Sequence, residues 1–168
     1  MTMSMYGASV PVFERMLDNL LTWLAKAQAH AESRRFDSAN YLGLRLAPDM
    51  LTFASQVRIA ADVAKLAVAR LAGVDAPRFP DDETTLEALA QRVRNTLAFV
   101  RSIDPRSIDG SDAREIVLPQ RSGESLHFTG ETFLQRWALP NFFFHATTTY
   151  ALLRHAGVDL GKADFLGL

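Results

Sequence analysis

Proton transfer and metal ligation near neutral pH fall to imidazoles in this chain, which has four histidines and no cysteine. His145 is the best placed of them. At about 100° per residue, Ala138, Asn141, His145, Thr148, Thr149, Leu152 and Ala156 lie within about 60° of one helical line, and Arg154 falls on the opposite side. The imidazole is therefore expected to face the core, where its polar nitrogens need partners. Asn141 and Thr149 stand one turn away on the same face. In the helical stretch after Pro48, Gln56 shares a sector with Ala60, Val63 and Ala67, while Arg58, Asp62 and Lys65 occupy the opposite, polar one. An inward amide facing an inward imidazole can be a ligand pair, a proton-transfer element or a satisfied polar contact, and the last is the usual state of buried polar groups. Thr148 and Tyr150 complete the candidate lining. Phe142 to Phe144 spread around the helix just before His145 and predict that this turn is surrounded by protein.

The remaining chemistry-bearing residues read more simply. His155 falls in a last helical turn before Gly157, where a cation complements the helix dipole. His30 sits at the edge of an apolar stripe near Trp23, partly exposed. His127 lies between Leu126 and Phe128 and, by strand alternation, should face away from both. Asp81, Asp82 and Glu83 form the one acidic cluster and read as a solvated approach to a helix N-terminus. No Glu-x-x-His pair, phosphate-cradling glycine loop or nucleophile elbow occurs.

The elements that must position these residues follow from periodicity. From Val10 to about Ala31, Phe13, Met16, Leu17, Leu20, Leu21, Leu24 and Ala27 make one buried helical stripe, with Ser9 as cap and Pro11 in the first turn. A linker with polar and aromatic residues leads to Pro48 and Asp49, which predict a helix start; that helix runs to about Leu71 and stops at Gly73. Val74 to Glu83, with Pro77 and Pro80, reads as a loop. A third helix is expected from Thr84, where Thr84 and Glu87 have capping-box spacing, to its end before Pro105. Glu115–Leu118 and Leu126–Phe128 flank Gln120–Ser125 as a small hairpin, and helical pattern resumes from Gly130 to Ala156 with a kink or restart at Pro140. Four amphipathic segments with a late hairpin predict an all-α bundle, and 168 residues suit a single domain over 1–168.

Composition narrows the functions. A net charge of −1 without clustered Lys and Arg argues against nucleic acid and against anionic membrane surfaces. Met1 to Val10 has neither a basic region nor an apolar one, and no run of about 18 apolar residues appears, so a cytoplasmic location is expected. The apolar tail from Val158 to Leu168, with Phe165 and Leu166, can pack on its own domain or on a second copy, which makes a homodimer one expectation.

The segments MYGASVPVFERMLDNL, RLAPDM followed by QVRIAADVAK, RLAGVDAPRFPDDETTLEAL, and LPNFFFHATTTYALLRHAGVDLGKADFLG span nearly the whole chain. Together they resemble a bacterial domain-of-unknown-function family related to the DinB/YfiT-like metalloenzymes. The resemblance implies a four-helix bundle whose metal-binding members use one His on the second helix and a His-x-x-x-His pair on the last. Carried over, the distal His of that pair is His145. The proximal position holds Asn141, and the second-helix position holds Gln56, with no histidine between Pro48 and Leu71. Two of three ligand positions thus carry amides, weak ligands for a borderline-soft ion, which favours no cofactor over a divalent metal such as zinc or nickel. The function expected is a polar inter-helix pocket for a small molecule, lined by Gln56, Asn141, His145, Thr148 and Tyr150. The alternative is a metal-dependent DinB-type enzyme, of the thiol S-transferase or hydrolase class, that uses His145.

Overall fold

Helix α1 (Met5–Arg34) begins earlier than its apolar stripe alone predicts. Its cap is Ser4, whose hydroxyl accepts from Gly7 N; Ser9 is buried inside the helix and donates to Met5 O at 2.7 Å. Pro11 is consequently an interior residue rather than a first-turn one. The added turn packs Met5, Tyr6 and Ala8 on the core, which outweighs the one hydrogen bond Pro11 cannot donate. The structure, a computed structural model, describes residues 4–120 and 123–168.

After α1 a short 3-10 turn, Ser38–Tyr41, leads to α2 (Phe53–Ala72). This helix starts at Thr52, which caps Ser55 N, and not at Pro48 and Asp49, which stay in the preceding turn. The reason lies in the orphan N–H groups of a first turn: Phe53 N donates to Leu44 O at 2.8 Å and Ala54 N to Leu42 O at 3.2 Å, so the incoming segment satisfies them there. Gly73 ends α2 at φ 71°, as its position predicts. α3 (Leu86–Ser102) is capped by Thr85 through Ala88 N, one residue beyond the expected Thr84 and Glu87 pair. It stops before Pro105, which opens a separate short helix, α4 (Pro105–Ile108), capped by Asp104.

Strands β1 (Glu115–Pro119) and β2 (Ser125–Thr129) form the expected antiparallel hairpin, with Val117 opposite His127. Ile116 and Leu118 face the core while Val117 and His127 face outward. Of the expected connection Gln120–Ser125, residues 121 and 122 lie outside the described residues. Helix α5 (Gly130–Phe133) then runs through a π-helical turn, Leu134–Ala138, into α6 (Leu139–His155). Leu139 N reaches Leu134 O, a slip of one residue in the hydrogen-bond ladder immediately before Pro140, which has no N–H to offer. The expected interruption is therefore a π-turn inside a continuous helix.

Helices α1, α2, α3 and α6 form the bundle: α2 packs on both α6 and α3, and α1 on α3 and α6. Phe13, Leu17, Leu20, Trp23, Phe53 and Phe142 are fully buried between them. The tail folds back on its own chain as α7 (Lys162–Leu166). Phe165 stacks on Trp23 at 5.5 Å, Asn19 Nδ2 donates to Phe165 O at 2.9 Å, and Lys26 Nζ meets Asp164 Oδ1 at 2.6 Å. Among the described residues no helix is long and apolar enough to cross a membrane.

Candidate functional site

α2 presents Ala60, Ala64 and Ala67 as buried small residues, and this lets it lie close against α6. At one end of that seam Gln56 and His145 meet. His145 Nδ1 lies 2.6 Å from Gln56 Oε1, and the two residues are 7% and 1% exposed respectively, so both sequence-derived orientations hold. The surroundings of this pair fix its protonation. The amide nitrogen of Gln56 donates to the carbonyl of Leu51 at 3.2 Å, and a carbonyl only accepts. Gln56 Oε1 must then face His145, and it can only accept, so Nδ1 carries the proton. The other ring nitrogen, Nε2, is left with a lone pair and no hydrogen-bond partner among the described residues. Burial, which penalises the charged form, holds the imidazole below its ordinary pKa and reinforces the neutral state.

The helix around His145 is held by its own hydroxyls. Thr149 donates to His145 O at 2.9 Å and Thr148 to Phe144 O at 2.7 Å, so both threonines are spent on the α6 backbone. Asn141, one turn earlier, is half-buried and makes no side-chain hydrogen bond among the described residues. Tyr150 is elsewhere: it packs edge-on against Trp23 at 5.5 Å and Phe165 at 5.6 Å, on the side of α6 that holds the tail. The three phenylalanines also part company. Phe142 is fully buried and packs on Phe13, Phe143 is half-buried, and Phe144 is 56% exposed. The turn is thus open on one side, where the Phe144 ring stands 5.2 Å from the imidazole and nearly perpendicular to it. Leu51, whose carbonyl anchors Gln56, is 48% exposed, so both neighbours of the couple reach solvent as apolar side chains.

A metal of the kind the resemblance implies does not fit this donor set. The Gln56 oxygen is already taken up by the proton on His145 Nδ1, which makes it an orienting group for the ring and not a co-ligand beside it. One imidazole nitrogen and the Asn141 amide remain, and among the described residues no group of three His, Cys, Asp or Glu side chains comes together.

Of the other histidines, His30 Nδ1 lies 2.6 Å from the buried Tyr41 hydroxyl, whose pKa burial raises, and so pins the loop after α1. His127 is solvent-facing, 3.5 Å from Glu115, and His155 closes α6 as expected.

Asp81 and Asp82 are exposed, as a solvated helix approach requires, but Glu83, with its side chain 8% exposed, is drawn into a buried ion cluster. Arg92 of α3 is 3% exposed, and it donates to Glu83 at 2.9 Å, Asp62 at 2.8 Å and Pro80 O at 2.9 Å, with Asp81 at 3.0 Å. Arg58 binds Glu83 at 2.6 Å, and Lys65 binds Asp62 at 2.7 Å and sits 4.2 Å over the Phe79 ring. Burial raises the Glu83 carboxyl, but hydrogen bonds from Arg92, its own backbone and Arg58 outweigh this and leave it below the usual value. Three cations meet three anions, so the cluster straps the 74–85 loop across α2 and α3 and has no charge to spare for a ligand. In sequence the signal was available as Arg58, Asp62 and Lys65 on one face of α2, but nothing marked Arg92 as the partner that buries them.

Residues 5–166 match the family described as Domain of unknown function (DUF1993). In three dimensions the chain is similar to the crystal structure of a DinB family member protein from Shewanella denitrificans, with a TM-score of 0.88 and 39% sequence identity. The likeness covers 97% of this chain and 92% of that one. No curated protein matches it.

Proposed function

The chain belongs to the DUF1993 family and has the DinB-type fold, and from that premise we propose that the Gln56–His145 seam is a polar inter-helix pocket that binds a small molecule without a metal. The observation that carries this is the unequal use of the imidazole: Nδ1 is committed to Gln56, while Nε2 keeps an unpartnered lone pair on a side chain that is nearly buried. Nε2 is not among the side-chain atoms buried without a partner, so it opens on solvent, and a ligand donor that replaces water there gains a net of about 0.5–1.5 kcal/mol in addition to its other contacts. Asn141 offers a second free polar group on the same face of α6, and Thr148 supports that face from the next turn. Leu51 and Phe144 supply an apolar rim for the body of such a molecule.

The test is metal analysis and ligand screening on protein purified without a histidine tag. Wild type should contain substoichiometric metal, and small molecules from a thermal-shift screen should raise its Tm but not that of His145→Ala. One equivalent of a divalent metal in wild type, absent from His145→Ala, would instead overturn the metal-free pocket in favour of a metal centre at His145.

A further inference from the structure

Resting on that reading of the site, we infer that the relay from the Leu51 carbonyl through Gln56 to His145 makes the pocket select neutral hydrogen-bond donors, such as an alcohol, phenol, thiol or amide N–H, over carboxylates and phosphates. Gln56 is the positioning residue of this selection.

The amide of Gln56 has one donating and one accepting end. Leu51 O takes the donor at 3.2 Å, and the backbone that carries this carbonyl enters α2 directly, where Thr52 caps the helix and Ser55 Oγ meets Thr52 Oγ1 at 3.0 Å. The amide therefore cannot turn over without setting two acceptors against each other on one side and two donors on the other. With Nδ1 fixed as a donor, Nε2 can only accept from a ligand while the ring is neutral. An anion brought to that lone pair would meet an acceptor, and neither Gln56 nor His145 is hydrogen-bonded or ion-paired to a cationic side chain among the described residues. A donor with an apolar body is complementary on both counts, since the exposed flank of the couple is Leu51 and Phe144. A glutamine here differs from a carboxylate in one respect that matters. It orients the ring without supplying negative charge that would favour imidazolium, so the acceptor character of Nε2 is kept.

NMR of protein with isotope-labelled imidazole nitrogens reads this directly. In wild type at neutral pH the His145 signals should show Nδ1 protonated and Nε2 bare. Phenol and benzyl alcohol should shift the Nε2 resonance at concentrations about tenfold lower than benzoate, the margin one well-made hydrogen bond gives. Gln56→Leu should lose the fixed tautomer and the preference; if it proves unstable, Gln56→Glu, which keeps an acceptor toward Nδ1 but adds charge that favours imidazolium, should protonate Nε2 at higher pH than wild type and lose the preference for neutral donors. A proton on Nε2 in wild type, or benzoate equal to phenol, overturns the inference while leaving a small-molecule pocket in place. Silence toward every probe, with the bare Nε2 observed, removes the pocket itself and the selection with it.

Discussion

Replacing Arg92 by methionine keeps the length and apolar stem of the side chain and removes only its charge and donors. The Arg92 side chain is 2% exposed and contacts two carboxylates and a backbone carbonyl at 2.8–2.9 Å, with a third carboxylate at 3.0 Å. Removing one member of a buried ion pair costs about 3–5 kcal/mol, because the counter-charge stays behind without solvent. Here Glu83 keeps Arg58, Asp62 keeps Lys65, and Asp62 and Asp81 reach solvent at 31% and 67% exposure, so only Glu83 is stranded and the expected loss lies at the lower end, about 3 kcal/mol. In a chain of this length each kcal/mol lowers Tm by about 2–4 °C, so Arg92→Met should melt about 6–12 °C below wild type. Urea denaturation followed by circular dichroism measures the same quantity independently. Adding Glu83→Gln removes one stranded charge, and the double variant should therefore lose less than the sum of the two single losses, with a coupling of about 1–3 kcal/mol. A loss below about 1 kcal/mol in Arg92→Met, or strict additivity with Glu83→Gln, would refute the claim that this cluster holds the strap, since that is the range of an exposed pair.

Four further outcomes rest on the geometry of the bundle. The Glu83 carboxyl titrates below its usual value when folded, so its contribution is present above about pH 4.5 and is lost as pH falls from there through the folded value; acid unfolding should begin at higher pH in Arg92→Met than in wild type. His145 is likewise held low, by burial, so the folded state resists its protonation and stability should decline as pH drops below about 6.5, a dependence that His145→Asn should flatten in melts taken between about pH 5 and 8. Gly130 lies against the Ser111 backbone, where an added Cβ would stand 1.9 Å from the carbonyl oxygen, so Gly130→Ala should cost about 3 kcal/mol or more and be seen as a large drop in Tm, while Gly43→Ala, with open space around it, should be nearly silent. Phe165→Ala should unseat α7 and expose Trp23, red-shifting tryptophan emission; an unchanged spectrum would mean the tail does not cover that ring.

Sequence by itself determined what rests on local periodicity and on single-residue chemistry. The 3.6-residue recurrence of apolar side chains gave the four bundle helices, alternation gave the hairpin, and Gly73 gave the end of α2, because each depends on contacts within a few residues. It also turned Gln56 and His145 inward, since each shares its face with residues that must be buried. Helix starts were legible only to within a turn, because Ser4 and Ser9, or Thr84 and Thr85, offer the same capping chemistry, and packing of Met5 and Leu86 on distant elements chose between them. The tertiary structure alone decided which neighbour each inward polar group would meet. It set Gln56 against His145 across residues 89 apart in the chain, took Tyr150 away to Trp23 and Phe165, opened Phe144 to solvent, and drew Arg92 under a run of acids that reads as a wet loop. A helical face fixes a direction from its own turn, but a partner is fixed by how several helices share one core, and that is a property of the whole chain.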